Sequence, residues 1–246
     1  MLVLVDLGQL FWSSAYGGAQ PMLGYEQTLE TLDWYRREYS RIVVCADSPR
    51  SIRKEMSAEY KAKRPVKPQP AVEALAGVIA RVKAWGMPLV MVDGWEADDV
   101  IATLTSQAWP ETVQIIGTEK DLYCLIEDGR VGLVGKKGPI DSAGCYDKFG
   151  VAPSQMVDWL ALVGDASDGV TGCEGCGPAR ATALLERFDS LVGIMNAKHE
   201  EILAVDGVGK KTLAGLLEWD HEKTLSLLRM NTALPIDLNE ILGDNK

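Results

Sequence analysis

Nine carboxylates fall where apolar runs of the sequence end. Asp6 closes residues 2–5, and Asp47 closes 41–46. Glu96, Asp98 and Asp99 follow 89–92, and Glu119 and Asp121 follow 112–117. Asp165 and Asp168 follow the stretch that ends at Val163. Singly, each has an ordinary explanation as a helix cap or turn residue. Gathered at one edge they would repel each other unless cations neutralised them. The donors are hard oxygens, with no His or Cys among them, and such sets suit Mg²⁺ or Mn²⁺. Two such ions about 3.5–4 Å apart can clamp the attacking and leaving oxygens of a phosphodiester. Glu96-x-Asp98 and Glu119-x-Asp121 each put two candidate ligands on one strand-to-helix turn.

Cations lie nearby in the sequence. Residues 50–67 hold seven basic side chains (Arg50, Arg53, Lys54, Lys61, Lys63, Arg64, Lys67) against two acids. A charge run is ordinarily a solvated helix face. This one follows directly on Asp47, and Tyr60, Lys61 and Arg64 fall within one helical turn. That spacing predicts an aromatic stacking face beside two phosphate-binding cations. The helix must end at Arg64, which precedes Pro65. Farther on, 172–177 reads Gly-Cys-Glu-Gly-Cys-Gly before Pro178, and Gly207-Val208-Gly209 precedes Lys210 and Lys211. Gly175 and Gly177 allow close backbone approach, and helix-start amides bind phosphate without reading sequence.

These groups need a scaffold. Short apolar runs at 2–5, 41–46, 89–92, 112–117 and 131–134 alternate with helical spacing at 26–39, 71–85 and 97–108. That alternation predicts an α/β fold with a mainly parallel sheet and helices on both faces. Functional groups of such sheets gather at the carboxyl ends of the strands. After about residue 150 the strand signals stop, and helices are expected over 154–163, 178–188, 189–197, 210–219 and 222–229. The expected division is 1–150, 151–238 and a tail over 239–246.

The chain has 246 residues, 47% of them hydrophobic and 24% charged, which excludes a disordered or collagen-like chain. No apolar run approaches the roughly 20 residues of a membrane span, and Met1–Asp6 is not a signal peptide. Five cysteines, an odd number, suit reduced thiols in a cytoplasmic compartment, of a bacterial cell or a phage-infected host. Cys173-x-x-Cys176 lacks two further ligands at zinc spacing and reads as small apolar residues in a turn. The net charge of −10 argues at face value against nucleic acid. Nine of the 35 acids, however, belong to the expected metal edge, so the remainder is near neutral.

The chain resembles the 5′-nuclease family: the 5′→3′ exonuclease domain of bacterial DNA polymerase I, stand-alone bacteriophage 5′-exonucleases and flap endonucleases. The stretches that carry the resemblance are Leu4–Gly8, Ala46-Asp47, Glu59–Pro65, Glu96–Leu104, Gly117–Leu122 and Gly164–Gly172 running into Gly175–Gly177. They occur in the family's order and cover about residues 2–238. The resemblance implies a PIN-like catalytic domain with a helical arch near 50–85, then a helix–three-turn–helix DNA-binding region. It implies two Mg²⁺ ions, with Mn²⁺ able to substitute. Asp6, Asp47, Glu96 and Asp98 would surround the first ion. Glu119, Asp121, Asp165 and Asp168 would surround the second, with Asp98 near both and Asp99 acting through water. Lys61 matches the arch lysine that steers the scissile phosphate, Arg64 matches the arch arginine, and Tyr60 matches an arch aromatic of some members. The hairpin near 172–177 matches a loop that can hold K⁺ while gripping duplex. DNA contacts are expected from Arg53, Tyr60, Lys61, Lys63, Arg64, Gly172, Gly175, Gly177, Lys210 and Lys211.

The implied activity is hydrolysis of DNA phosphodiesters to 5′-phosphorylated products, in replication or repair. The implied substrate is a 5′ end, flap or nick on duplex. A DNA polymerase or a single-strand-binding protein is a conceivable partner, and the expected state is a monomer. Glu119 stands where relatives usually have Asp, and Cys173 and Cys176 where Val or Ile is common, which puts oxidisable thiols in the hairpin. The alternative is a PIN-type nuclease preferring RNA or RNA in RNA–DNA hybrids.

Overall fold

The computed structural model describes residues 1–135 and 137–243. Six strands form one sheet: β1 Leu2–Asp6, β2 Ile42–Cys45, β3 Leu89–Val90, β4 Val113–Ile116, β5 Val131–Gly135 and β6 Gly138–Ile140. Their order is β3-β2-β1-β4-β5-β6, and every pairing is parallel except β5 with β6. The chain divides into two compact units. Unit 1 is Met1–Ile52, Pro65–Ile140 and Met230–Lys246; unit 2 is Arg53–Arg64 and Asp141–Arg229.

Unit 1 contains the sheet with α1 Leu7–Ser14, α2 Pro21–Glu38, α4 Gln69–Ala84, α5 Ala97–Gln107 and α13 Leu238–Leu242; the short α3 Ile52–Met56 begins at its border. Every residue of β1 and β2 is buried, which is why these strands read as continuous apolar runs. Alternation sends Val3, Val5 and Val44 into one core with Phe11, Leu32, Val78 and Val82 of α1, α2 and α4. On the opposite face α5 packs against β1 and β2. The final segment belongs to this unit. The Gln107 side chain donates to the Ile236 carbonyl and accepts from the Leu238 amide, at 2.7 and 2.9 Å. The expected tail is therefore ordered through α13; its last residues, 244–246, lie outside the described residues.

Unit 2 holds α6 Ser142–Phe149, α7 Met156–Val163, α8 Pro178–Phe188, α9 Leu191–Asn196, α10 His199–Leu203, α11 Lys210–Glu218 and α12 His221–Leu228. The expected α/β half and helical half are thus both present. The expected helix through Arg64 is not. Helix α3 stops at Met56, and residues 57–64 run as turns with Lys61 at φ 54°. The Lys61 amide donates to the Asp168 carbonyl at 2.7 Å, and a Cβ on Gly169 would lie 2.1 Å from the Glu59 carbonyl oxygen. Close packing against the 165–170 loop, absent from any local helical pattern, overrides the propensity of the basic segment.

Candidate active site

The carboxyl edge of the sheet in unit 1 collects the acids expected there. Asp6 ends β1 and caps α1, its carboxylate accepting the Gln9 amide at 2.9 Å. Asp47 follows β2 and accepts the Ala97 amide at 2.9 Å, which ties the first turn of α5 to the second strand. Gly8 lies between them: a Cβ there would be 3.4 Å from an Asp6 oxygen and 3.5 Å from an Asp47 oxygen. Glu96 and Asp98 open α5, and Glu119 and Asp121 follow β4.

The electrostatics show that these side chains share one field. Burial, then Glu119 and Asp47, push the Asp6 carboxyl up to about 7, against the smaller opposing effect of the Gln9 and Gly8 amides. Asp98 keeps part of its surface exposed, yet enclosure by its neighbours is the first cause that raises its carboxyl well above the usual range. Asp6, Glu119, Asp121 and Asp47 raise it further, in that order. The buried Cys45 thiol is raised too, by burial and then by Asp6 and Asp98. Asp6 and Asp98 are thus raised by the carboxylates around them, a concentrated set of oxygen donors. Divalent metal fits that set, because hard oxygens and concentrated negative charge are what Mg²⁺ or Mn²⁺ requires.

Asp99, expected to act through water, is held differently from the other acids of the edge. It is fully buried, with one oxygen accepting the Glu96 amide at 3.2 Å and the other the Asn231 amide at 2.8 Å. Helix capping and anchoring of the chain near Asn231 take both oxygens. Sequence reasoning missed Gln9. Its side chain donates to Thr118 Oγ1 at 3.3 Å and accepts the Thr118 amide, so it joins the ends of β1 and β4. The glycines of the sequence motifs were the available signal. A Cβ on Gly117 would meet Leu122, Gln9 and Asp6 at 3.0–3.2 Å.

In unit 2, Asp165 and Asp168 are buried in a tight loop closed by pairing of Asp165 with Val170. Asp165 accepts the Ser167 amide at 3.0 Å and its hydroxyl at 2.6 Å. Asp168 accepts Arg64 Nε at 3.0 Å and lies 3.8 Å from Lys61 Nζ. The two arch cations are thus held by a carboxylate of the same unit. Two other expected contacts are not presented to solvent. Tyr60 is only 5% exposed, with Lys61 Nζ 5.0 Å from its ring centroid, so no free stacking face forms. Arg53 is buried and donates to the Leu227 and Arg229 carbonyls at 2.9 and 3.0 Å, a structural tie in place of a phosphate contact. Lys63, Lys210 and Lys211 are exposed, and Lys211 pairs with Glu174 at 3.2 Å.

The hairpin of unit 2 ends in α8, with Gly177 at its cap and Pro178 at the first helical position. The Gly175 carbonyl accepts Arg180 Nη1 at 3.1 Å and Thr212 Oγ1 at 2.9 Å, while Arg180 Nε reaches the Gly207 carbonyl at 2.6 Å. One arginine thereby joins the two glycine loops. The Gly175 carbonyl is already taken by two donors and does not fit a K⁺ ligand.

The fold is shared with solved structures. A structure of T5 D15 protein co-crystallised with metal ions aligns with TM-score 0.76 at 22% identity, covering 99% of this chain and 97% of that one. The catalytic core of Rad2 in complex with DNA substrate aligns with TM-score 0.51 at 16% identity, covering 92% and 90%. Residues 17–150 match the 5′-3′ exonuclease N-terminal resolvase-like domain, and 151–244 match the 5′-3′ exonuclease C-terminal SAM fold. The chain belongs to the 5′-3′ exonuclease family. It is 32% identical over 203 residues to a 5′-3′ exonuclease of Aquifex aeolicus, covering 81% of this chain and 68% of that one. It is 34% identical over 206 residues to DNA polymerase I of Deinococcus radiodurans, covering 82% of this chain. It spans only 21% of that relative's length and 28% of the Pseudomonas aeruginosa DNA polymerase I.

Proposed function

We propose that this chain is a structure-specific 5′-nuclease that hydrolyses DNA phosphodiesters at a 5′ end, flap or nick and leaves 5′-phosphorylated products. The observation that carries the reading is the carboxylate edge of unit 1, where Asp6 and Asp98 are held above their ordinary range by burial and by their acidic neighbours. Family membership and structural neighbours bound to metal ions and to DNA support it. In this proposal Asp6, Asp47, Glu96 and Asp98 hold one Mg²⁺, and Glu119, Asp121, Asp165 and Asp168 serve a second. Bound divalent ions would supply a water nucleophile active at neutral pH and stabilise the leaving oxygen.

The chain's own residues do the rest. The Gln9 and Ala97 amides fix Asp6 and Asp47 before substrate arrives, so little reorganisation is needed. Asp168 keeps Lys61 and Arg64 extended toward it until a substrate phosphate competes for them. The α8 and α11 starts with Lys210 and Lys211 would grip the uncleaved duplex through its backbone. The chain would act as a cytoplasmic monomer, with a DNA polymerase as the partner that relatives of that name suggest. No described helix is long and apolar enough to cross a membrane.

Digestion of end-labelled flap, nicked and blunt DNA with and without Mg²⁺ tests the proposal. Mg²⁺-dependent release of 5′-phosphorylated fragments from the flap is expected. Faster cleavage of a matched single-stranded RNA would favour the RNA-directed alternative instead.

A further inference from the structure

The cysteines of the hairpin have no part in the hydrolysis, yet the backbone presents them as a pair. The Cys176 amide donates to the Cys173 carbonyl at 3.1 Å, so residues 173–176 form a β-turn, with Gly175 at φ 74° in its third position. Such a turn keeps its end Cα atoms within about 7 Å, and a disulfide needs about 4.4–6.8 Å. The Cys173 thiol stays against the same turn, 3.6 Å from the Glu174 carbonyl. Among the described residues, no metal-ligating group includes either cysteine.

A route to the pair exists. Both are buried, at 5% and 4% exposure. Gly172, Glu174 and Gly215, however, line an open cavity of about 370 Å³. The first two flank Cys173 in sequence, and a Cβ on Gly215 would lie 3.2 Å from the Cys173 sulfur. The sulfur thus packs behind Glu174 and Gly215, two residues that line the cavity.

We infer that Cys173 and Cys176 form a thiol–disulfide pair, joined by a small two-electron oxidant of the peroxide class, that loosens the hairpin when oxidised. The Cys173 sulfur attacks one peroxide oxygen, the O–O bond breaks, and one water leaves as a sulfenic acid forms. The Cys176 sulfur then displaces the sulfenic oxygen as a second water. The thiols lose two electrons and two protons, and the peroxide takes up both. Forming the bond brings the sulfurs to about 2.0 Å. That pulls on a turn whose Gly175 carbonyl is pinned by Arg180 and Thr212. The Cys173 sulfur also packs against the Thr212 carbonyl. Breaking these ties misplaces the starts of α8 and α11. The consequence for duplex binding rests on the proposed nuclease function; the disulfide does not.

The test treats the full chain with hydrogen peroxide, alkylates the remaining thiols and maps the peptides by mass. Cys173 and Cys176 are expected joined, with Cys45, Cys124 and Cys145 alkylated and dithiothreitol reversing the change. Affinity for nicked duplex should fall about tenfold on oxidation and recover on reduction. Cys176→Ala should remove this response; if it fails to fold, Cys173→Ala serves, and the wild-type peptide map stands without either. An unjoined pair, or a joined pair with unchanged affinity, overturns the inference. A reduced chain that does not hold duplex would count against the nuclease reading, while the peptide map would still decide whether the pair joins.

Discussion

Chelated protein should lose stability as pH rises from about 5 to about 8, the reverse of ordinary acid unfolding. The perturbation is removal of metal with excess chelator. The folded chain holds the Asp6 proton up to about pH 7, whereas an unfolded Asp releases it near 3.8. The folded state therefore binds more protons in that interval, and raising pH through it favours unfolding. Any stabilisation from protonated Asp6 is complete below 3.8 and gone once pH passes the folded value. At about 1.4 kcal/mol per unit, the ceiling is about 4 kcal/mol from this one group, of which roughly 3 kcal/mol is lost between about pH 5 and 8. For a chain of this size that corresponds to roughly a 10 °C fall in Tm. Scanning calorimetry between about pH 5 and 8 measures it, in a window where most other carboxylates stay ionised. Asp6→Asn should flatten the slope while keeping the α1 cap, since Asn caps as well as Asp. Saturating Mg²⁺ should restore stability most at the alkaline end, where the carboxylates bind it unprotonated. A chelated Tm that stays level or rises over this range, or an Asp6→Asn variant with the wild-type slope, would refute the reasoning.

Further outcomes are expected from single substitutions. Asp121→Asn and Asp165→Asn should each lower cleavage by about 10² or more while sparing duplex affinity, measured by single-turnover kinetics and a binding assay. Near-wild-type turnover in both would sink the metal assignment. Lys61→Ala should depress the single-turnover rate by roughly 10²-fold with little change in Mg²⁺ dependence; a loss rescued by excess Mg²⁺ would contradict a steering role. Gly117→Ala should cost about 1–3 kcal/mol, read from denaturant midpoints, because the added carbon meets Leu122, Gln9 and Asp6 within 3.2 Å.

Much of the architecture was legible because the parallel strands are buried on both faces, so their apolar runs stand out from the helices between them. The runs ending at Asp6, Asp47 and Thr118 gave the sheet edge and its acids. Helix α1 was not legible, since it begins at Leu7 directly after β1 and its apolar residues continue the strand's run. Strand β6 is three residues of a hairpin with two glycines nearby, too short for any period. The basic segment misled for a different reason. Its composition favours a helix, but the path from 57 to 64 is set by backbone contacts to Asp168 and Gly169, over a hundred residues away in sequence. The same long-range packing buries Tyr60 and turns Arg53 toward two carbonyls, which no local pattern encodes.

Asp99 shows why residue type alone does not separate a ligand from a cap. Asp98 and Asp99 are adjacent acids in the first turn of one helix, so the helical rotation between them sends the side chains apart. Asp98 falls in the field of Asp6, Glu119, Asp121 and Asp47, and its proton affinity rises. Asp99 points to two amides and is satisfied without a cation. The same distinction applies to the net charge of −10. Acids such as Asp99, Asp141 and Asp237 take backbone amides. The excess that matters is the small set on the β1, β2 and β4 edge, where concentrated oxygen donors suit a divalent metal. An acidic protein can then be a nucleic-acid enzyme, because the cations that meet the phosphates arrive partly as bound metal and partly as a few placed side chains.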